Sequence, residues 1–197
     1  MENEKQLTEQ QSLELITRMI NKAKDDYKET GVGALMWGSV VTVCSLVSFA
    51  NYYQRWPWAD YIWFLTLIAV VPQVIISVRE NRRLKYKTYN YDAMGGIWIS
   101  FGISIFLLSF FASSFNVPNG YSLFLILYGI PTFATGFARR FPPMIIGGIA
   151  CWIFAIVSMY VTFPYAMLLT AAAAFISWFI PGMILRKRYL KSKQHDV

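Results

Sequence analysis

The chain has 197 residues, of which 56 % are hydrophobic, 17 % aromatic and only 15 % charged, with a formal net charge of +7. A globular domain averages about 25 % charged residues, and here the deficit is gathered into blocks. Between Gly31 and Val78 only Arg55 and Asp60 are charged, and between Ala93 and Leu185 only Arg139 and Arg140. Uncharged stretches of about 18 or more residues read as membrane spans, which leaves no room for a separate soluble domain of useful size.

The first 30 residues are polar and are expected to form a cytoplasmic arm (1–30). Thr8 followed by Gln11 resembles a capping box. Leu13, Ile16, Ile20 and Tyr27 recur at helical spacing, with Leu15 and Met19 widening the stripe. An amphipathic helix ended by Gly31 is predicted, with this stripe as its interaction face. Acids outnumber bases in the arm, whereas adhesion to lipid favours basic faces. Docking on a protein partner, or on a second copy of the chain, is therefore expected. The arm lacks the early apolar core of a secretory signal, so Met1 onward is expected to be mature protein.

Six apolar segments follow, at 32–51, 59–78, 93–113, 121–138, 143–161 and 164–185. They predict an all-α integral membrane protein, a six-helix bundle over 31–186 built from three hairpins, with a basic tail at 187–197. Lys and Arg collect in the arm, in 79–92, in 139–143 and in the tail, while Arg55 stands alone on the other side. Basic loops stay cytoplasmic, so both ends are placed in the cytoplasm of a cell with a plasma (inner) membrane. Arg79, Arg82, Arg83, Arg139, Arg140, Arg186 and Arg188 are the expected contacts to anionic headgroups, at about 1 kcal/mol per basic residue near the surface. The positive charge then needs no nucleic acid as a partner. The turn NYYQRWPWADYIWF (51–64) has the composition of an interfacial aromatic belt.

Pro72, Pro131 and Pro181 fall in the second, fourth and sixth segments, each shortly before the arginine that ends it. Proline removes a backbone bond and costs about 3 kcal/mol in water, but membrane helices tolerate it where neighbours satisfy the freed carbonyl. Kinks are expected at all three. The odd segments share glycine followed by tryptophan, at Trp37, Trp98 and Trp152. A hairpin used three times and a set of hairpins obeying common interfacial rules both account for this. The glycines read as helix contacts.

The reactive groups are few. Cys44 and Cys151 lie inside apolar segments and read as small buried residues. The single histidine, His195, is near the end of the chain. Zinc hydrolysis, haem ligation by histidine and a serine–histidine dyad therefore lack their ligands or base, and no phosphate-binding glycine loop is present. No cofactor, no metal and no enzymatic activity are expected. The polar residues inside the segments are mild. Their plain use is interhelical hydrogen bonding at about 0.6 kcal/mol each. The sharper use is a weakly polar pathway for a neutral solute, carried by Gln73, Ser45, Ser104 and Thr132.

The run SLELITRMINKAKDDYKETGVGALMWGSVVTVCSLVSFANYY (12–53) resembles the start of small, uncharacterised six-span bacterial inner-membrane proteins. The resemblance is one of layout over the whole length. It implies a bacterial inner-membrane location and no activity or catalytic residue. The leading expectation is a non-enzymatic membrane protein with an interaction or regulatory role through its arm and basic loops. The alternative is a small transporter or channel for a neutral or lipophilic solute; an intramembrane enzyme is the least favoured.

Overall fold

A computed structural model describes residues 30–83, 89–115 and 120–195, together with Leu13, Glu14 and Thr17; the side chains of 83, 89–92 and 195 lie outside that description. The described chain is helical apart from short connections, and no strand occurs among the described residues. Its helices are α1 (Val32–Gln54), α2 (Phe64–Arg83), α3 (Tyr89–Phe115), α4 (Gly120–Ala138), α5 (Pro142–Ser158), α6 (Phe163–Ala174) and α7 (Ile180–His195). A five-residue π turn, Phe175–Phe179, joins α6 to α7 in one unbroken rod.

Helix ends follow local chemistry. Gly31 enters α1 with φ 71, and a Cβ there would lie 2.7 Å from the Gly182 carbonyl oxygen and 2.8 Å from the Arg186 nitrogen. Only glycine meets both demands. α1 stops at Arg55, whose left-handed φ of 53 sends its N–H back to the Asn51 carbonyl. The expected second segment began at 59. The apolar span does run from Ala59 to Arg82; within it Ala59–Tyr61 form a 3₁₀ turn and α2 starts at Phe64, because Pro57 and the crowded aromatics of 56–64 favour a compact connection. Residues 187–195, expected as a tail, continue α7. Beyond Gly182 the sequence is rich in Arg, Lys, Leu and Gln, which propagate a helix well outside apolar surroundings.

Several helices are long and apolar enough to span a membrane, as a multi-pass membrane protein requires. Among the described residues five qualify: α1, α2 with its preceding turn, α3, α4, and the α6–α7 rod. The fifth segment differs from the expected 143–161. α5 has 17 residues, or about 25 Å at 1.5 Å per residue, against a hydrocarbon thickness of about 30 Å. It ends early because Met159 and Tyr160 turn the chain toward Thr162 and Phe163, where Pro164 opens α6.

The helices are unequally buried. α4 and α5 pack most closely, α6 and the π turn lie against α1, and α5 touches both α6 and the π turn. Leu125, Cys151, Ala155 and Ala173 form the core, with Tyr128 and Phe154 against it. α2 rests on α1, and α3 on α4. The buried share of each apolar window is 33 % for α1, 39 % for α4 and 44 % for the α6–α7 rod, but 6 % for α2 and 0 % for α3. The core is thus α1, α4, α5 and α6, with α2 and α3 as flanks.

Candidate functional site: polar ties in an apolar bundle

Hydrogen bonds tie α1, and Thr30 just before its start, to α2 and the turn that precedes it. At one end Asn51 Nδ2 donates to Asp60 Oδ1 at 2.8 Å, and Trp63 Nε1 donates to Ser48 Oγ at 3.0 Å. Cys44 Sγ approaches the Ile62 carbonyl at 3.5 Å. Further on, Trp37 Nε1 donates to Gln73 Oε1 at 3.1 Å. At the opposite end the Thr30 hydroxyl donates to Glu80 Oε1, which also accepts from the Thr30 N–H at 3.4 Å. Apart from the Cys44–Ile62 contact, each step back on the α1 side is matched to within one residue by a step forward on the α2 side, so the two run antiparallel in a fixed register. The backbone of Gly33 lets the Gln73 amide lie against it: a Cβ there would meet Oε1 at 3.1 Å and Nε2 at 3.5 Å.

A second polar group lies around the π turn. Trp178 Nε1 donates to Thr132 Oγ1 at 3.1 Å, and Thr132 Oγ1 donates to the Tyr128 carbonyl at 2.8 Å. One hydroxyl acts as acceptor and donor, using the capacity it has. The Trp178 ring lies edge-on to Trp98 of α3 at 4.9 Å and to Tyr128 of α4 at 6.0 Å. Two glycine contacts wedge the same turn. A Cβ on Gly147 of α5 would come within 2.5 Å of Ser177 Cα, and one on Gly38 of α1 within 2.6 Å of the Phe179 nitrogen. The π turn therefore meets α1, α3, α4 and α5 at once.

Pro181 follows directly. It has no N–H for the Ser177 carbonyl, and the Ile180 N–H reaches back five residues to Phe175. The departure from regular α geometry lies just ahead of this proline. Helix α4 runs on through the buried Pro131, and α2 through the exposed Pro72.

The expected pathway residues are dispersed. Gln73 sits half-buried in the α1–α2 seam, Thr132 is sealed beneath Trp178, and Ser104 is half-buried on α3. Ser45 is fully buried on α1, and its hydroxyl lacks a hydrogen-bond partner, as does that of Thr135. A void of about 10 Å³ lies among Val41, Leu125, Tyr128, Cys151, Thr170 and Ser177, enough for one water at most. None of the four pathway residues lines it. Cys44 and Cys151 are buried free thiols, and no metal-holding cluster of His, Cys, Asp or Glu occurs among the described residues. The three tryptophans that follow glycine meet unlike partners: Trp37 meets Gln73, Trp98 meets Trp178, and Trp152 donates to the Ile126 carbonyl at 3.3 Å.

The two ends of the bundle differ in character. Thr30 on Glu80, Gly31 on Gly182 and Arg186, and Arg188 over the Phe141 ring at 5.2 Å gather the roots of the arm, the 79–92 segment, the α4–α5 turn and α7 at one end. Arg79, Arg82, Arg140 and Arg188 are exposed there. Arg139 is half-buried, and the half-buried Arg186 lies 5.7 Å from the Tyr189 ring; the Arg83 side chain is outside the described residues. The other end carries aromatics, with Trp56 stacked on Trp58 at 5.6 Å, and Phe163 near Tyr121 at 5.4 Å and Tyr52 at 6.3 Å. Of the arm's expected face, Leu13 is helical and exposed; Ile16, Ile20 and Tyr27 lie outside the described residues.

Sequence reasoning singled out Gln73 and Thr132 but missed Trp37 and Trp178 as their donors. An indole N–H in an apolar segment needs an acceptor, and that signal was present for both. Glu80 was missed because a carboxylate beside arginines reads as solvated. No family model, no curated protein and no solved structure matches this chain.

Proposed function

We propose that this chain is an inner (plasma) membrane protein crossing the bilayer six times, with both ends cytoplasmic, and that it acts without catalysis, through contacts made by its arm and basic end. The observation that carries this reading is the gathering of the basic segments' roots at one end of the bundle. Held in the cytoplasm, that end meets the positive-inside rule and offers anionic headgroups its exposed Arg79, Arg82, Arg140 and Arg188. A thinner bilayer around α5 costs only fractions of a kcal/mol per Å of mismatch. The dispersal of Gln73, Ser45, Ser104 and Thr132, none of which lines the void beside Cys151, weighs against a solute pathway, which needs polar residues converging on a cavity. The root of the arm is packed against α2 and α7 through Thr30 and Gly31, so binding at the arm would be felt by the bundle.

Removing residues 1–29, which keeps Thr30, tests the role of the arm. The shortened chain should keep its thermal transition in detergent yet lose the partner or the self-association of the full chain. Retention of every association after truncation would refute the reading. Cysteine tags at the two ends, probed with an impermeant maleimide in intact cells, test the orientation; labelling of either end from outside refutes it.

A further inference from the structure

The turn between α4 and α5 holds an arginine where a helix end prefers glycine. The Phe141 N–H donates to the Gly136 carbonyl at 2.8 Å, and the Arg140 N–H to the Phe137 carbonyl at 3.2 Å. This paired closure puts its turning residue in the left-handed region, which glycine enters freely and other residues at a cost. Arg140 is that residue, with φ 51, and its side chain is exposed. The next residue, Phe141, is buried, and the exposed Arg188 of α7 places its guanidinium over the ring at 5.2 Å. One buried ring thus joins two exposed cations from separate elements.

The corner is rich in cations and has no acid of its own. Between Asp92 and Asp196 the sequence carries no Asp or Glu, yet it places seven Lys or Arg at 139–140 and 186–193. Glu80, at the same end, accepts from Thr30. α5 opens with Pro142 and Pro143, which have no N–H to offer an anion, so recognition falls to the guanidiniums. Phe137 of α4 and Ile146 of α5, where the two helices lead away from the turn, are exposed apolar side chains. A headgroup with one phosphate satisfies one cation at a time. A lipid that joins two phosphates through one glycerol brings the second to its cation at high effective concentration, and basic corners on the cytoplasmic side suit such headgroups. We propose that Arg140 and Arg188, set about Phe141, form a site for one phospholipid carrying two phosphates on a shared glycerol, with its acyl chains against Phe137 and Ile146. The site presupposes the membrane placement proposed above, and adds a position and a lipid class to the general attraction of headgroups.

The test compares lipids of one and two phosphates with the same acyl chains. The full-length protein in maltoside detergent is titrated with diphosphatidylglycerol, and separately with phosphatidylglycerol at equal phosphate; native mass spectrometry reads the occupancy. The wild type should hold the two-phosphate lipid about tenfold more tightly, the least that one charge-assisted hydrogen bond is worth. Arg140→Gly and Arg188→Gln should each bring the ratio to about one. Glycine suits φ 51, so Arg140→Gly should unfold at or above the wild-type temperature without lipid while losing the preference, which a merely structural role of Arg140 would not produce. Arg79→Gln with Arg82→Gln should weaken both lipids by the same factor. Equal binding of the two lipids by the wild type overturns the site whether or not the variants fold. If phosphatidylglycerol then still binds more tightly than phosphatidylethanolamine, the general headgroup reading stands without the site; if it does not, that reading falls too. A preference that survives either single substitution, or that disappears with Arg79 and Arg82 instead, overturns the site by placing the second phosphate elsewhere. Displacement of the lipid by millimolar inorganic pyrophosphate overturns it as well, by assigning the corner to a soluble diphosphate.

Discussion

Helices α3 and α4 are neighbours made of much the same residues, and they have opposite fates. α3 is the more apolar, with a mean hydropathy of 1.9 in its window against 1.4 for α4, yet none of that window is buried, while 39 % of α4's is. The glycines show why. A Cβ on Gly129 of α4 would come within 2.2 Å of the Trp152 ring, and one on Gly136 within 2.6 Å of the Ile145 backbone; Gly95, Gly96 and Gly102 of α3 have nothing within 4 Å. In water the more apolar helix would be inside. In a bilayer lipid covers apolar surface as well as protein does, so close approach and hydrogen bonds decide what is central.

The largest expected effect breaks this comparison outright if it is absent. Gly147→Leu forces a branched side chain into the Ser177 backbone and should abolish the folded, monodisperse state in detergent, a cost above about 3 kcal/mol. Gly102→Leu, the same change on the open face of α3, should leave the thermal transition in place. Equal tolerance of the two would mean that the inner and outer helices have been exchanged.

Next in size is the tie between the π turn and α4. Thr132→Val leaves the Trp178 N–H buried without an acceptor and should cost about 1–3 kcal/mol; Trp178→Phe should cost about 1 kcal/mol for the bond, besides lost ring contact. Paired in one chain, they should cost less than their sum, since both remove the same bond. Additive losses, read as thermal unfolding followed by Cys44 and Cys151 thiol exposure, would show that the tie contributes nothing. Smallest is Gly95→Ala or Gly102→Ala, which should raise stability by up to about 1 kcal/mol through helix propensity alone. A loss at either position would mean that something outside the monomer packs there.

The apolar segments were legible in the sequence because the bilayer imposes a length and forbids charge, so 121–138 and α4 (Gly120–Ala138) nearly coincide. Ends were less legible where the helix outlasts the apolar run. α7 continues to His195, since hydropathy reports the surroundings of a helix and not its hydrogen bonds. Which helices are central was not legible at all. Serines and glycines of α3 read like those of α1 and α4, and only three-dimensional shape separates them. Gln73 could be picked out as an amide needing a partner, but its donor lies 36 residues away in sequence and no local pattern joins them.

The contact between α1 and the π turn bears on how the molecule is made. The ties from Ser48–Trp63 to Thr30–Glu80 are available as soon as α2 emerges, so α1 and α2 are able to enter the bilayer as a pair. The other side of α1, with Gly38 against Phe179 and Leu35 against Gly182, finds its mate only when the last part of the chain has been translated. Until then the Ser45 side of α1 has only lipid or a chaperone for company, and a ribosome that stalls before α6 leaves behind a product for membrane quality control to clear.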